Sequence, residues 1–465
     1  MIWQRFLEVA QTHASATAII SDEETLTYEA FIECVRNEAM KLPRRPEIGM
    51  PARVLLVPTE PATLLLRIFA CWSLGLVPVV LREGQSEDSL KRISEIAEPI
   101  AILSDESAPQ ANLHAPHEAA SPFSARQEAL VMCTSGTTGT PKLVALSAEG
   151  VLATAQAIAD ELSFTEGDII AVPTPITYMY GLMGASVTGL LSGAALRLFA
   201  QGIPLTVVQA TIRRENITVI QGPPSLMRIF LAYWGGTPFN SVRLVTTGGE
   251  YMNPDLVTKL SEAFPQSDFR LVYGMTEAGP RISHSRTVSY RETGQVVGKP
   301  FDHFEWRIVP VELEDLPEGA GRLAIKGPSV CLGYIQSGNR YIGVDDDGFF
   351  CSTDIVCEVD NAQLCFLGRY DRLFKTGGKL INPLEIETLL MRHPDVYDAV
   401  CRSEEHRLLG FIPVADVVLE KDATTEVSEL IEHCSELEPH AIPHRIDIHS
   451  ELAIAASGKR VMSKQ

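Results

Sequence analysis

The sequence predicts an α/β protein whose large N-terminal domain has layered, mostly parallel sheets with helices, followed by a small α+β domain. Two observations predict this class. Short apolar runs that end in polar or glycine-containing turns alternate with longer helical patterns, and the pattern changes after about Arg369. Such alternation is typical of parallel sheets. The expected strands are residues 53–57, 100–103, 129–133, 243–247 and 269–273, and a helix is expected at residues 254–264.

The chain after Arg369 has the pattern of a separate small unit. A helix is expected to begin at Asn382, because Asn is a preferred N-cap, Pro383 suits the first helical position and Glu385 completes a capping box. A strand at residues 411–419 and an amphipathic helix at residues 427–434 follow. We therefore place the two domains at residues 1–370 and 371–465.

Composition and charge limit the possible functions. The chain has 465 residues, of which 45% are hydrophobic and 21% are charged, as in ordinary globular proteins. A formal net charge of −20 argues against nucleic acid as a partner, because phosphates bind to basic surfaces. A small anionic substrate stays possible, since one positive pocket can exist in a negative protein.

Cysteine usage and hydropathy favour a cytoplasmic protein without a membrane segment. The nine cysteines are scattered and form no CxxC pair, as in a reducing compartment. The N-terminus lacks the apolar core of a signal peptide. Residues 62–81 are the most hydrophobic stretch, but Arg67, Gly75 and Pro78 interrupt it. We expect a buried helix followed by a buried strand there rather than a membrane span.

One loop has the chemistry of a phosphate cradle. The expected strand 129–133 continues into residues 134–142, which read TSGTTGTPK. Glycines allow the backbone to approach an anion, hydroxyl and N–H groups donate hydrogen bonds, and Lys142 adds positive charge. A Walker A loop is disfavoured, because Gly136 and Gly139 are too close together and Leu143 follows the lysine. For such a string alone, a plain polar turn is the alternative.

The order of this string resembles the signature of the adenylate-forming superfamily. That superfamily includes acyl-CoA synthetases, aryl-acid ligases, the adenylation domains of non-ribosomal peptide synthetases and firefly luciferase. Further matching segments follow in the family's order, so that the resemblance covers nearly the whole chain: Thr247-Gly248-Gly249-Glu250, Tyr273-Gly274-Met275-Thr276-Glu277, Ser352-Thr353-Asp354, Gly368-Arg369-Tyr370-Asp371 and Ser457-Gly458-Lys459.

The resemblance implies ATP and Mg²⁺ as cofactors and assigns a role to each motif. The implied nucleotide-binding residues are Thr134, Ser135, Gly136, Thr137, Thr138, Gly249, Glu250, Tyr273, Asp354 and Arg369. The implied catalytic residues are Lys142, Thr276, Glu277 and Lys459, with Glu277 as the Mg²⁺ ligand. Asp371 is the implied hinge between a large ATP- and acid-binding domain and a small mobile lid domain.

The implied acid pocket contains Tyr178, Gly181, Gly248, Gly274 and Met275. These residues make the pocket look apolar and lined by small side chains, which favours an aryl or other hydrophobic carboxylic acid. An α-amino acid is disfavoured, since no aspartate lies around residues 177–181 to hold its ammonium group. The sequence departs from the family at Tyr178, where many members have His, and at Leu143, Ala148 and Thr353.

The implied activity is that of an AMP-forming ligase. It activates a small carboxylic acid as an acyl-adenylate, releases pyrophosphate and transfers the acyl group to the thiol of CoA or of a phosphopantetheine on a separate carrier protein. Six residues follow Lys459, so we expect the thiol to come from outside the chain. A catalytically weak sensor or scaffold that binds an adenylate is the alternative, and a P-loop kinase or ATPase is a more distant one.

Overall fold

The structure is a computed structural model that describes residues 1–45, 51–104, 126–134, 141–291, 294–313, 316–421 and 423–452. Residues 135–140 of the phosphate-loop string and Lys459 therefore lie outside the described residues.

The helices alternate with strands through the first two-thirds of the chain. In chain order they are α1 (Ile2–Thr12), α2 (Tyr28–Ala39), α3 (Pro61–Ser73), α4 (Glu87–Ala97), α5 (Ala148–Leu162), α6 (Met179–Gly181), α7 (Thr188–Leu191), α8 (Leu205–Glu215), α9 (Pro224–Ala232), α10 (Pro254–Ala263), α11 (Pro383–Leu390) and α12 (Val427–His433). A π-helical turn, Leu182–Val187, joins α6 to α7. Short 3₁₀ turns lie at Thr276–Ala278, Asp360–Ala362, Tyr370–Arg372 and Cys434–Glu436.

The strands form four sheets. In chain order they are β1 (Thr17–Ile20), β2 (Thr25–Thr27), β3 (Arg53–Leu56), β4 (Val77–Val80), β5 (Ala101–Leu103), β6 (Glu128–Thr134), β7 (Lys142–Ser147), β8 (Ile169–Val172), β9 (Ala195–Leu198), β10 (Val219–Gly222), β11 (Leu244–Gly248), β12 (Asp268–Tyr273), β13 (Ser283–Ser285), β14 (Ser289–Arg291), β15 (Gly294–Gly298), β16 (Glu305–Pro310), β17 (Gly321–Lys326), β18 (Gly333–Gln336), β19 (Arg340–Ile342), β20 (Phe350–Val359), β21 (Gln363–Arg369), β22 (Phe374–Thr376), β23 (Lys379–Ile381), β24 (Val396–His406), β25 (Gly410–Leu419) and β26 (Arg445–His449).

Two large sheets have parallel centres, as the sequence predicts. The eight-stranded sheet has the order β13-β12-β11-β10-β8-β9-β1-β2 and the seven-stranded sheet has the order β19-β18-β7-β6-β4-β3-β5. Strands β12, β11, β10, β8, β9 and β1 are parallel to one another, as are β6, β4, β3 and β5. Antiparallel strands are added at the edges. The expected strands and the expected helix at residues 254–264 are present, and no end is shifted by more than one residue.

A third sheet was not anticipated from the sequence. Its six strands are all antiparallel and have the order β14-β15-β21-β20-β17-β16. It carries two of the predicted nucleotide-binding residues, Asp354 on β20 and Arg369 at the end of β21.

A small C-terminal sheet follows the third sheet. Strands β22 to β26 form it, and helices α11 and α12 pack on its own apolar core. Helix α11 begins as predicted: Asn382 Oδ1 accepts a hydrogen bond from the Leu384 N–H at 3.2 Å, and Asn382 Nδ2 donates to Glu385 Oε1 at 3.3 Å. These contacts give the N-cap that the sequence signals, with Pro383 at the first helical position.

The hydrophobic stretch at residues 62–81 is a buried helix and strand. Helix α3 is buried on almost every side from Leu64 to Trp72, and β4 follows it in the seven-stranded sheet. A helix that is apolar all round belongs in a protein core or in a membrane. Within the described residues, no helix has the length and apolarity needed to cross a bilayer.

A buried ion pair ties the seven-stranded sheet together. Arg53 on β3 donates to both carboxylate oxygens of Glu128 on β6, at 2.7 and 2.9 Å, and both side chains are 1% exposed. The Tyr341 hydroxyl on β19 donates to Glu128 Oε2 at 2.7 Å, and Arg53 also donates to Asn339 Oδ1 at 2.6 Å. These hydrogen bonds offset the desolvation cost of burying the two charges.

We expect Glu128→Gln to lower the free energy of unfolding by about 3–5 kcal/mol, because it leaves the buried Arg53 charge unpaired. Urea unfolding measures the change. The control is Glu305→Gln, which breaks the exposed contact with Lys326 at 3.6 Å and should change stability by less than about 0.5 kcal/mol. Equal effects of the two substitutions would contradict a structural role for the buried pair.

Candidate active site

A cavity of about 580 Å³ lies where the eight-stranded, six-stranded and seven-stranded sheets meet. Every predicted nucleotide-binding and catalytic residue that the structure describes lines it, and so do the predicted acid-pocket residues Gly274 and Met275 and the predicted hinge Asp371. They are Thr134, Lys142, Gly249, Glu250, Tyr273, Gly274, Met275, Thr276, Glu277, Asp354, Arg369 and Asp371. Their elements are strand ends or the turns after them, where loops of an α/β fold generally carry function.

Tyr273 and Asp354 form the pair predicted to bind adenine and ribose. The Tyr273 hydroxyl, at the end of β12, donates to Asp354 Oδ2 at 2.7 Å. The Asp354 N–H donates to Ser352 Oγ at 3.1 Å, which fixes the backbone before the carboxylate. Burial raises the pKa of Asp354 against the opposing effects of Tyr273 and Arg369. The pKa of Tyr273 is raised by burial and by the neighbouring carboxylate, so this phenol is neutral.

Arg369 lies at the edge of the same cavity. It donates to Asp371 in a bidentate arrangement at 2.8 and 3.0 Å and to Thr353 Oγ1 at 3.0 Å. Its guanidinium is 45% exposed, so the ion pair itself contributes little to stability. Burial would lower the pKa of Arg369, but Asp371 and Asp354 outweigh burial and raise it. The group is therefore a permanent cation in the cavity wall.

Lys142 and Glu277 are linked by a residue that the sequence did not single out for the site. Tyr334, on β18, donates its hydroxyl to Glu277 Oε1 at 2.7 Å. The Lys142 Nζ lies 4.8 Å from the centre of the Tyr334 ring, a cation–π distance. Burial and Glu277 raise the pKa of the Tyr334 phenol, so it acts as a neutral donor that orients the carboxylate.

Glycines next to the cavity allow its strands to pack closely. A Cβ on Gly248 would lie 2.0 Å from the Val272 carbonyl oxygen, and one on Gly274 would lie 1.9 Å from the Pro280 carbonyl oxygen. Glu250 follows Gly248, and its carboxylate accepts hydrogen bonds from the Ser225 N–H and Oγ at 3.0 and 3.1 Å. That contact joins the turn with the predicted nucleotide-binding residues Gly249 and Glu250 to the first turn of α9.

Three predicted acid-pocket residues, Tyr178, Gly181 and Gly248, lie outside the lining of this cavity. A Cβ on Gly181 would lie 2.6 Å from the carbonyl oxygens of Thr174 and Pro175, so this glycine serves packing. The Tyr178 ring lies 4.9 Å from the Arg82 guanidinium carbon. Arg82 lines the 580 Å³ cavity and also a second cavity of about 1020 Å³ at the carboxyl ends of β3, β4, β8 and β9. It therefore connects the two.

Other predicted residues are not positioned by the structure. Ser135, Gly136, Thr137, Thr138 and Lys459 lie outside the described residues.

Two family models match the chain. The model of the AMP-binding enzymes matches residues 6–335, and that of the C-terminal domain of AMP-binding enzymes matches residues 385–459. The chain therefore belongs to the AMP-binding enzymes, the adenylate-forming superfamily that its motifs resemble.

Curated relatives agree with this membership. A 4-coumarate–CoA ligase of Pinus taeda is 30% identical over 307 residues, which are 63% of this chain and 56% of the relative. A putative acyl-CoA synthetase of Bacillus subtilis is 28% identical over 336 residues, which are 70% of this chain and 60% of the relative. The matched segment thus spans less than two-thirds of either relative.

Solved structures show that the fold is shared along the whole chain. An o-succinylbenzoate CoA synthetase from Bacillus subtilis, solved with its acyl-adenylate intermediate, has a TM-score of 0.82 at 23% identity and covers 98% of this chain and 96% of its own. A benzoate CoA ligase from Burkholderia xenovorans has a TM-score of 0.84 at 21% identity, covering 99% and 98%. These likenesses confirm the predicted fold class, a large domain of mixed sheets with a small C-terminal domain.

We expect Asp354→Asn to raise the midpoint of thermal unfolding at pH 7. Because burial raises the pKa of Asp354 in the folded state, folding at neutral pH confines a charge that the fold disfavours. Below the pKa of an unfolded aspartate, about 3.9, both states hold the proton and the gain should vanish. Thermal melts of both proteins between pH 3 and 7 measure this difference. A gain that is the same at every pH would contradict the electrostatic cause.

Proposed function

We propose that this protein is an ATP-dependent ligase that converts a small carboxylic acid to an acyl-adenylate, releases pyrophosphate and passes the acyl group to a thiol. The observation that carries the proposal is the meeting of Tyr273, Asp354, Glu277, Lys142 and Arg369 around one cavity. An aromatic ring, an acceptor for ribose hydroxyls, a carboxylate for a hard cation and two cations for phosphates are the groups that such a reaction needs.

The first half-reaction requires neutralisation of like charges rather than a general base. The acid carboxylate attacks the α-phosphorus of ATP and pyrophosphate leaves, so two anions have to approach one another. Lys142 and Arg369 supply permanent positive charge at the cavity. We assign Arg82 to the acid carboxylate, because it lies against Tyr178 and lines both cavities. Fixed charges of this kind stabilise a transition state without reorganisation.

Glu277 is the proposed Mg²⁺ ligand. Mg²⁺ is bound in proteins through one or two carboxylates together with substrate phosphates and water. The Glu277 carboxylate lines the cavity and is oriented by the Tyr334 hydroxyl, so the residues present fit this ion. When bound, Mg²⁺ neutralises phosphate charge.

The acceptor is a thiol of CoA or of a carrier-protein phosphopantetheine, and the small C-terminal domain acts as the lid. Names of the matched relatives, which include 4-coumarate–CoA ligase and acyl-CoA synthetase, support CoA. We place the domain boundary after residue 370 with Asp371 as the hinge, because β21 ends at Arg369 and the small sheet begins five residues later, at Phe374 of β22. Asp371 holds Arg369 across this point, so movement of the lid would change the cavity wall.

The decisive experiment is ATP–pyrophosphate exchange over a library of aryl, aliphatic and amino acids, followed by mass analysis with CoA and with a phosphopantetheinylated carrier. We expect exchange that depends on one class of carboxylic acid. Nucleotide binding without exchange for any acid would instead support the alternative, a catalytically weak sensor or scaffold.

We expect Tyr334→Phe to raise the Mg²⁺ concentration for half-maximal exchange about 10- to 100-fold, the usual effect of removing a partner of a metal ligand. The matched control is Tyr341→Phe on β19, the strand next to β18. It removes a hydroxyl that is hydrogen-bonded to the buried Glu128. It should destabilise the fold without moving the Mg²⁺ titration. Equal titration midpoints for Tyr334→Phe and the parent would remove Glu277 from the metal site.

Lys459→Ala should separate the two half-reactions. From the motif resemblance, this lysine contacts the acid carboxylate and the bridging oxygen of ATP only during adenylation. We expect exchange to fall at least about 100-fold, consistent with loss of one transition-state donor. Thioester formation from a supplied acyl-adenylate should be nearly unchanged. Equal loss in both assays would refute the assignment.

A further inference from the structure

A polar cluster lies between the eight-stranded sheet and the π-helical turn. Its five members are connected by hydrogen bonds: Gln221, Thr246 and Arg281 are buried, and Tyr180 and His284 are partly buried. The Tyr180 hydroxyl is 3.1 Å from Thr246 Oγ1, and Thr246 Oγ1 is 3.3 Å from Gln221 Oε1. Arg281 Nη2 is 2.5 Å from the same Gln221 oxygen, and Arg281 Nη1 is 3.0 Å from His284 Nε2.

The direction of every hydrogen bond in the cluster follows from Arg281. A guanidinium only donates, so Gln221 Oε1 and His284 Nε2 must both accept. Burial and the charges of Arg281 and Arg270 lower the pKa of His284 well below its usual value, so the ring is neutral and its hydrogen is on Nδ1. Thr246 then donates to Gln221 and accepts from Tyr180.

The completed network leaves donors without acceptors. Arg281 Nε, Gln221 Nε2 and His284 Nδ1 are buried and have no hydrogen-bond partner within the described residues. The Arg281 side chain does make one more bond, from Nη2 to the Gly184 carbonyl at 3.2 Å, and its guanidinium carbon lies 5.3 Å from the Tyr180 ring centre. In the described part of the chain, Arg281 has no carboxylate within ion-pair distance.

An unpaired buried cation lowers the stability of the fold. The hydrogen-bond donors around Arg281 cannot compensate its charge, because each presents a partial positive charge to it. A buried charge is normally paired, and each unsatisfied buried donor costs about 1–3 kcal/mol. Arg281 is 1% exposed, and burial lowers its pKa. One anion with several lone pairs would satisfy the guanidinium and the unpaired donors together.

The cluster adjoins the segments assigned to the acid. Arg281 packs against Gly274, where a Cβ would lie 2.7 Å from the Arg281 Cα. Thr246 precedes Gly248 by two positions on β11, so both positions lie on one face of the sheet. Tyr180 lies two residues after Tyr178. Gly184 lies in the π-helical turn, and a Cβ there would come within 3.1 Å of the guanidinium.

We propose that the acid substrate carries a second oxyanion, of the carboxylate class, at the end remote from the reacting carboxylate, and that Arg281 binds it with Gln221 and His284. This inference rests on the proposed ligase function and names the substrate class of the same site. It replaces the expectation of a wholly apolar pocket, which came from the small residues of the motifs.

The test compares dicarboxylic acids with their monomethyl esters, in aryl and aliphatic series, by ATP–pyrophosphate exchange. Each ester keeps the shape of the acid but loses the distal charge. For the parent protein we expect kcat/KM to be at least about 100-fold higher for the best diacid than for its ester, since a site with buried polar groups discriminates strongly against a substrate that leaves them unpaired. In Arg281→Met this ratio should approach one.

Arg243→Met is the matched control. Arg243 lies immediately before Leu244, the first residue of β11, and pairs with Asp168 at 2.6 Å. Its loss should therefore leave the diacid preference unchanged. Arg281→Lys should keep part of the preference, because it keeps the charge. Thermal melts of each variant establish that it is folded.

Retention of the diacid preference in folded Arg281→Met, or preference of the parent for monocarboxylates, would overturn the inference while leaving the ligase function intact. Absence of exchange with every acid would instead refute the ligase function. Calorimetric titration of the parent and Arg281→Met with the diacids, with ATP present, then still decides the inference: binding that Arg281→Met weakens at least about tenfold supports it, and equal or absent binding overturns it.

Discussion

The pairing register of β20 with β21 is the constraint on which the nucleotide side of the cavity depends. It places Asp354 directly opposite Arg369, at the point where β12 ends with Tyr273. Because side chains alternate between the faces of a strand, a slip by one residue would turn the carboxylate away from the Tyr273 hydroxyl. The register is held by pairing with β15 and β17 and by buried residues such as Val356 and Leu364, which touch no substrate.

Neutral phenols orient the acidic groups that this register brings together. Tyr273 donates to Asp354 and Tyr334 donates to Glu277, so each carboxylate is positioned without being neutralised. The raised pKa of Asp354 shows that its charge is confined against the preference of the fold. Such groups are common at functional sites because the ligand that completes them, here the proposed nucleotide with its cation, restores the lost stabilisation.

Sequence patterns predicted the parts of the site that are local in the chain. Tyr273 ends a buried strand and Glu277 follows it four residues later, and the order of their motif identified the family. Tyr334 could not be found in this way, because it reaches Lys142 only through antiparallel pairing of β18 with β7, where it lies opposite Val144. The six-stranded sheet was missed for the same reason: its strands lack helices between them, and their partners are distant in sequence.

The proposed acid pocket is the part of the site that local sequence patterns predict least well. Each motif contributes small residues, and these favour an apolar pocket when considered one segment at a time. Gln221, Thr246 and Arg281 come from three different segments and acquire meaning only when the sheet places them together. An apolar pocket discriminates weakly, by about 1–3 kcal/mol per methylene, whereas a pocket with unpaired buried donors makes a mismatched substrate far more costly. In the proposed diacid site, selectivity is therefore set at the end of the acid that takes no part in the reaction.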